Sequence, residues 1–112
     1  MSITIYHNPQ CSKSRATLAI LEGKNAEPVI IEYLNTPPSA SELKNIIRLL
    51  GIAPRELMRV KDAKKVGIDA SLDDDGLIAA MVANPIVIER PIVVVAGRAK
   101  IARPPESVME IL

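Results

Sequence analysis

Residues 3–6, Ile-Thr-Ile-Tyr, are β-branched and aromatic and run into His7-Asn8-Pro9, a turn signal, so a short strand is expected there. From Ser12 to about Lys24 a hydroxyl opens the stretch, Ala16, Leu18, Ala19, Ile20 and Leu21 follow, and Gly23 and Asn25 close it, which predicts a helix. The run Pro28–Leu34, PVIIEYL, reads as a second strand. Strand, helix and strand in so short a span suit a crossover unit with parallel strands.

The middle of the chain reads as helical. Ser39 or Ser41 can cap a helix that carries Glu42 early, Leu43, Ile46, Ile47 and Leu50 on one stripe, and Gly51 at its end. Residues 53–60, APRELMRV, suggest a short second helix with Pro54 in its first turn, and residues 61–72 a mobile polar connection. Residues 72–85 form a helix pattern with an acidic start, which suits the helix dipole, and a stop at Asn84 and Pro85. Pro91 then opens the strand-like run Ile92–Val95, Ala96-Gly97-Arg98 signals a turn, and Ala99–Ala102 returns as an antiparallel partner. A terminal helix over PPESVMEIL, with Pro105 in its first turn, completes the order. The expected fold is α/β and thioredoxin-like. It comprises a four-stranded mixed sheet with flanking helices and a helical insertion between the second and third strands, in one domain over residues 1–112. In that topology Pro91 stands where a cis proline faces the active thiol.

Composition narrows the partners. The chain has no Phe or Trp and only two Tyr, so it offers no platform for stacking bases, and a net charge of +1 lacks the basic excess of a duplex binder. The N-terminus lacks the basic and apolar segments of a secretory signal, and no run approaches the ~20 apolar residues of a membrane span. A cytoplasmic protein is expected, and with no long apolar heptad, a monomer. One Cys cannot form an internal disulfide, and Cys11 with His7 alone is a poor metal site.

Cys11 sits where the first strand ends and the first helix begins, amid Pro9, Gln10, Ser12, Lys13, Ser14 and Arg15. Unpaired N–H groups and the macrodipole at a helix start stabilise a thiolate, the nucleophilic form. Arg15 and a protonated His7 would act in the same direction. Ser12 and Ser14 suit a helix start, where hydroxyls satisfy backbone donors. A phosphatase-type loop would need arginine at residue 17, which is Thr17, and a dithiol motif would need cysteine at residue 14, which is Ser14. An oxidised Cys11 must therefore be resolved by an external thiol. Arg59, Arg90 and Arg103 recur beside prolines or at helix ends, and guanidinium forks match tetrahedral oxyanions.

These features, together with YLNTPPS, LGI with RELMR, NPIVIERPIVV and RPPESVMEIL, resemble the glutaredoxin-coupled arsenate reductases of bacteria over nearly the whole chain, in particular the chromosomal branch that carries CSKSR. The resemblance implies that Cys11 attacks arsenate and forms a covalent adduct, with His7 helping to depress the thiol pKa. Arg59, Arg90 and Arg103 match the family's oxyanion-binding arginines. Cys11, His7 and Ser14 form the expected catalytic set, and Arg15 joins the substrate-binding arginines. Glutathione is the implied co-substrate and glutaredoxin the implied partner, with no bound metal or nucleotide. Two alternatives share the thiol: a general glutathione-dependent thiol oxidoreductase without an arsenate role, and an Spx-like regulator binding RNA polymerase. The second uses a Cys-x-x-Cys switch that Ser14 removes.

Overall fold

A computed structural model describes residues 2–112. The chain forms two compact units, one built from the residues up to Thr36 together with Arg90–Leu112, the other from Pro37–Glu89.

The first unit is a four-stranded sheet with its helices. Strand β1 (Ile3–His7) leads through helix α1 (Ser12–Gly23) to β2 (Val29–Glu32), and β3 (Ile92–Val95) and β4 (Arg98–Ile101) follow late in the chain. The spatial order is β2-β1-β3-β4. β1 and β2 are parallel, as a helical crossover demands, while β3 runs antiparallel to both β1 and β4. The turn between β3 and β4 has two residues, Ala96 at φ 48° and Gly97 at φ 77°. Two successive positive φ values give the turn whose twist matches that of the flanking strands.

Alternation along the strands builds the core. Ile5 and its cross-strand partner Val93 are fully buried, and they pack with Val95, Leu21 of α1, Ala102, Val108 and Ile111. The inward face of α1 is Ser14, Thr17 and Leu21, whereas Ala16 and Ala19 of the expected apolar set are exposed. Two of the three inward residues are thus hydroxyls that need partners.

In the second unit α2 (Ala40–Leu50) begins with a capping box, in which Ser39 Oγ accepts from the Glu42 N–H and the Glu42 carboxylate accepts from the Ser39 N–H, both at 3.1 Å. It ends on Gly51 in the left-handed conformation. Helix α4 (Asp74–Ala83), capped by Asp73, packs against α2. Buried Leu43, Ile46 and Ile47 of α2 and Leu77, Ile78 and Met81 of α4 supply this unit's apolar interior.

Four local expectations are corrected. The second strand covers 29–32 rather than 28–34, because the Asn35 and Thr36 N–H groups both bond back to the Glu32 carbonyl and bend the chain away. Of residues 53–60, only Pro54–Leu57 is helical, as a 3₁₀ turn, since Met58 is extended and bridges Ile88. Residues 61–72 are not a uniform polar connection: Val60–Lys65 forms helix α3, with the Arg59 carbonyl accepting from Ala63 N–H at 2.9 Å and Arg59 Nε donating to Asp62 at 2.8 Å. The terminal helix is 3₁₀ over Pro105–Ile111, begun by a Ser107 N–H bond to the Pro104 carbonyl that the Ser107 hydroxyl also joins.

Candidate functional site

The site grows from the carboxyl end of β1. His7 pairs with Glu32 of β2 in register, and the preceding Tyr6 pairs with Ile92 of β3, so the end of β1 is flanked on both sides. His7 and Asn8 are accordingly 6% and 3% exposed. The chain then makes a tight turn: the Asn8 carbonyl accepts from the Cys11 N–H and the Asn8 Oδ1 from the Gln10 N–H, each at 3.0 Å. Pro9 presets the turn's second position. Cys11 is the N-cap of α1, extended at φ −94° and ψ 122°, and its carbonyl accepts the first helical bond from Arg15 N–H.

Cys11 is half-buried. Burial by itself would raise the thiol pKa. The backbone N–H groups of Ser14 and Lys13 outweigh it, together with the Arg90 guanidinium, and the thiol is held below its ordinary value. The sulfur makes no full capping bond to the helix. It is the field of those N–H groups and the nearby guanidinium that favour the thiolate.

His7 departs from expectation. Burial is the largest influence on it and lowers its pKa; Glu32 and Glu22 oppose this and Arg15 adds to it, leaving the ring below its usual value. A protonated His7 beside the thiol is therefore replaced by a buried neutral imidazole whose Nδ1 lies 2.7 Å from Ser14 Oγ. Ser14 is fully buried, and its hydroxyl also accepts from the Asn8 N–H at 3.0 Å. The Ser14 O–H donates to Nδ1 of the neutral ring, which places the ring proton on Nε2. Arg15 is exposed and donates to the Pro9 carbonyl at 2.8 Å, bracing the turn.

Two arginines meet at the root of the β3–β4 hairpin. The ladder pairs Ile92 with Ile101, and the same register carried outward sets Arg90 opposite Arg103. Arg103 Nη1 donates to the Arg90 carbonyl at 2.9 Å, and Ala102 N–H to the Pro91 carbonyl at 3.0 Å. The Arg90–Pro91 and Arg103–Pro104 peptide bonds are both cis, and Pro91 is buried.

Arg59 belongs to the second unit. Its Nε donates to Asp62 Oδ2 at 2.8 Å, its Nη1 lies 3.7 Å from Glu89 Oε1, and its backbone N–H donates to the Val87 carbonyl at 2.7 Å. The first unit thus brings together Cys11, His7, Ser14, Arg90 and Arg103, while Arg59 is held by two carboxylates. Sequence reasoning missed Asn8, Asp62 and Glu89. The Asn-Pro pair signalled a turn, and a buried asparagine inside it became visible only in the fold. Chemically, the first unit offers an ionisable sulfur, aligned N–H groups and guanidinium donors, a set suited to nucleophilic attack on an anionic centre. Among the described residues no group of three or more His, Cys, Asp or Glu could hold a metal ion, and no helix is long and apolar enough to cross a membrane.

A family model described as the ArsC family matches residues 6–111. The chain is similar to an arsenate reductase of Haemophilus influenzae, with 48% identity covering 100% of both chains. It is also similar to the uncharacterized protein YfgD of Escherichia coli K12, with 49% identity over 98% of this chain and 96% of the relative. The solved structure of an arsenate reductase from Vibrio cholerae superimposes with a TM-score of 0.90 at 50% identity, covering 100% of this chain and 98% of that one.

Proposed function

The chain belongs to the ArsC family, and from that premise we propose that it reduces arsenate to arsenite through Cys11, with glutathione and glutaredoxin as thiol partners. The observation that carries this reading is the sulfur at the start of α1, lowered in pKa by the Ser14 and Lys13 N–H groups and by Arg90.

The Cys11 thiolate attacks arsenic. A sulfur–arsenic bond forms, one arsenate oxygen leaves as water after protonation, and the adduct stays pentavalent. Arg90 and Arg103 bind its oxygens, and Arg59, which matches the family's third arginine, is proposed as a further oxyanion ligand. A guanidinium stabilises charge that the oxygens carry through the displacement. Glutathione thiolate then attacks the Cys11 sulfur. The electron pair of the sulfur–arsenic bond passes to arsenic, which leaves as trivalent arsenite, and Cys11 is left in a mixed disulfide with glutathione. Ser14 stands where a dithiol enzyme would carry its second cysteine, so the disulfide must be opened by an external thiol, the role given to glutaredoxin. The reaction consumes glutathione and so belongs in the cytoplasm. No bound metal or nucleotide takes part.

The test is a coupled assay with purified protein, glutathione and glutaredoxin, with and without arsenate. Arsenate-dependent thiol consumption is expected, lost in Cys11→Ser while its circular dichroism spectrum matches the parent. Thiol consumption indifferent to arsenate would instead assign a general glutathione-dependent oxidoreductase.

A further inference from the structure

The turn that presents Cys11 contains a buried side chain with unused donors. Asn8 is 3% exposed. Its backbone N–H donates to Ser14 Oγ, its carbonyl accepts from the Cys11 N–H, and its Oδ1 accepts from the Gln10 N–H, all at 3.0 Å. The remaining group, the carboxamide Nδ2 with two N–H donors, has no hydrogen-bond partner among the described residues. That nitrogen is not among the fully buried side-chain atoms left without a partner, so it keeps contact with solvent and its donors are open to a ligand.

We propose that Asn8 is a further substrate-binding residue, whose Nδ2 donates to an oxygen of the tetrahedral anion at Cys11. This rests on the oxyanion reading above. Three features of the turn fit the role. The Asn8 carbonyl bond to the Cys11 N–H keeps Asn8 and the thiol-bearing residue in one tight turn. The Gln10 bond fixes the plane of the carboxamide before any ligand arrives, so no side-chain ordering is needed on binding. The donor is also neutral: beside Arg90 a third charge would repel, whereas an amide adds direction without charge.

Two variants separate binding from support of the turn. Asn8→Ser keeps a hydroxyl that can accept from the Gln10 N–H but loses the amide donors. Asn8→Asp keeps Oδ1 and replaces the donors with a charged acceptor. Cys11 is alkylated with iodoacetamide across pH, then at fixed pH with increasing inorganic arsenate or inorganic phosphate as protecting anion. For Asn8→Ser the alkylation pH profile should stay that of the parent, while the anion concentration for half-protection rises roughly tenfold, the loss expected for one hydrogen bond to a charged ligand. For Asn8→Asp protection should be weaker still, and that variant carries the test should the serine protein not fold. Parent-like protection in both variants would overturn the proposal. So would an Asn8→Ser profile that shifts in step with the loss of protection, since Asn8 would then act only by holding the turn. In Asn8→Asp the new carboxylate raises the thiol pKa by its charge, so protection there is read at a pH above the shifted midpoint. Absence of protection in the parent protein would instead sink the oxyanion reading underneath.

Discussion

Ser14 holds the thiol region together at the scale of single atoms: its hydroxyl serves Asn8 and His7, while its N–H acts on the Cys11 sulfur. Ser14→Ala would strand two buried polar groups and should cost about 1–3 kcal/mol in urea unfolding. His7 adds a pH dependence whose sign follows from burial. Its folded pKa lies below the unfolded value of ~6.5, so the unfolded chain binds the proton first. The stability that the neutral ring provides is full above ~6.5 and declines as pH falls from there through the lowered folded pKa. Melting temperatures from pH 8 to 5 should show the decline, and His7→Gln should flatten it. The reactive setting of Cys11 was legible from its polar neighbours. The neutral state of His7 was not, because its burial depends on strands contributed by β2 and β3 on either side of β1.

Among the elements, α2 was the most legible: serine, then glutamate three residues on, an apolar stripe and a closing glycine are all local signals, and the observed helix obeys each. Ser39→Ala should cost about 1 kcal/mol through loss of the cap, read as a lower urea midpoint with unchanged slope. Helix α3 was illegible for the opposite reason. It has six residues, of which only Ala63 is buried, and its start is held by Arg59, whose backbone N–H is tied to Val87 far along the chain. The terminal segment was read as helical, but its hydroxyl and proline chemistry chose the tighter 3₁₀ form.

For the molecule as a whole, the sheet order predicts a gradient of protection. β1 and β3 are paired on both sides and β2 on one, with Val29 and Ile30 of β2 56% and 46% exposed. Amide hydrogen exchange should therefore be slowest in β1 and β3 and faster in β2; equal protection of the edge strand would contradict the order. The order of the strands along the chain, the parallel first pair, the late hairpin and the thiol at a helix start are properties of the sequence alone, because each follows from local periodicity, turn residues and connection length. Which side chains actually meet was decided by tertiary structure. Hairpin register set Arg90 opposite Arg103, the flanking strands kept His7 neutral, and the turn after β1 left the Asn8 amide nitrogen without a protein partner. Burial and pairing depend on residues far apart in the chain, and no local pattern encodes them.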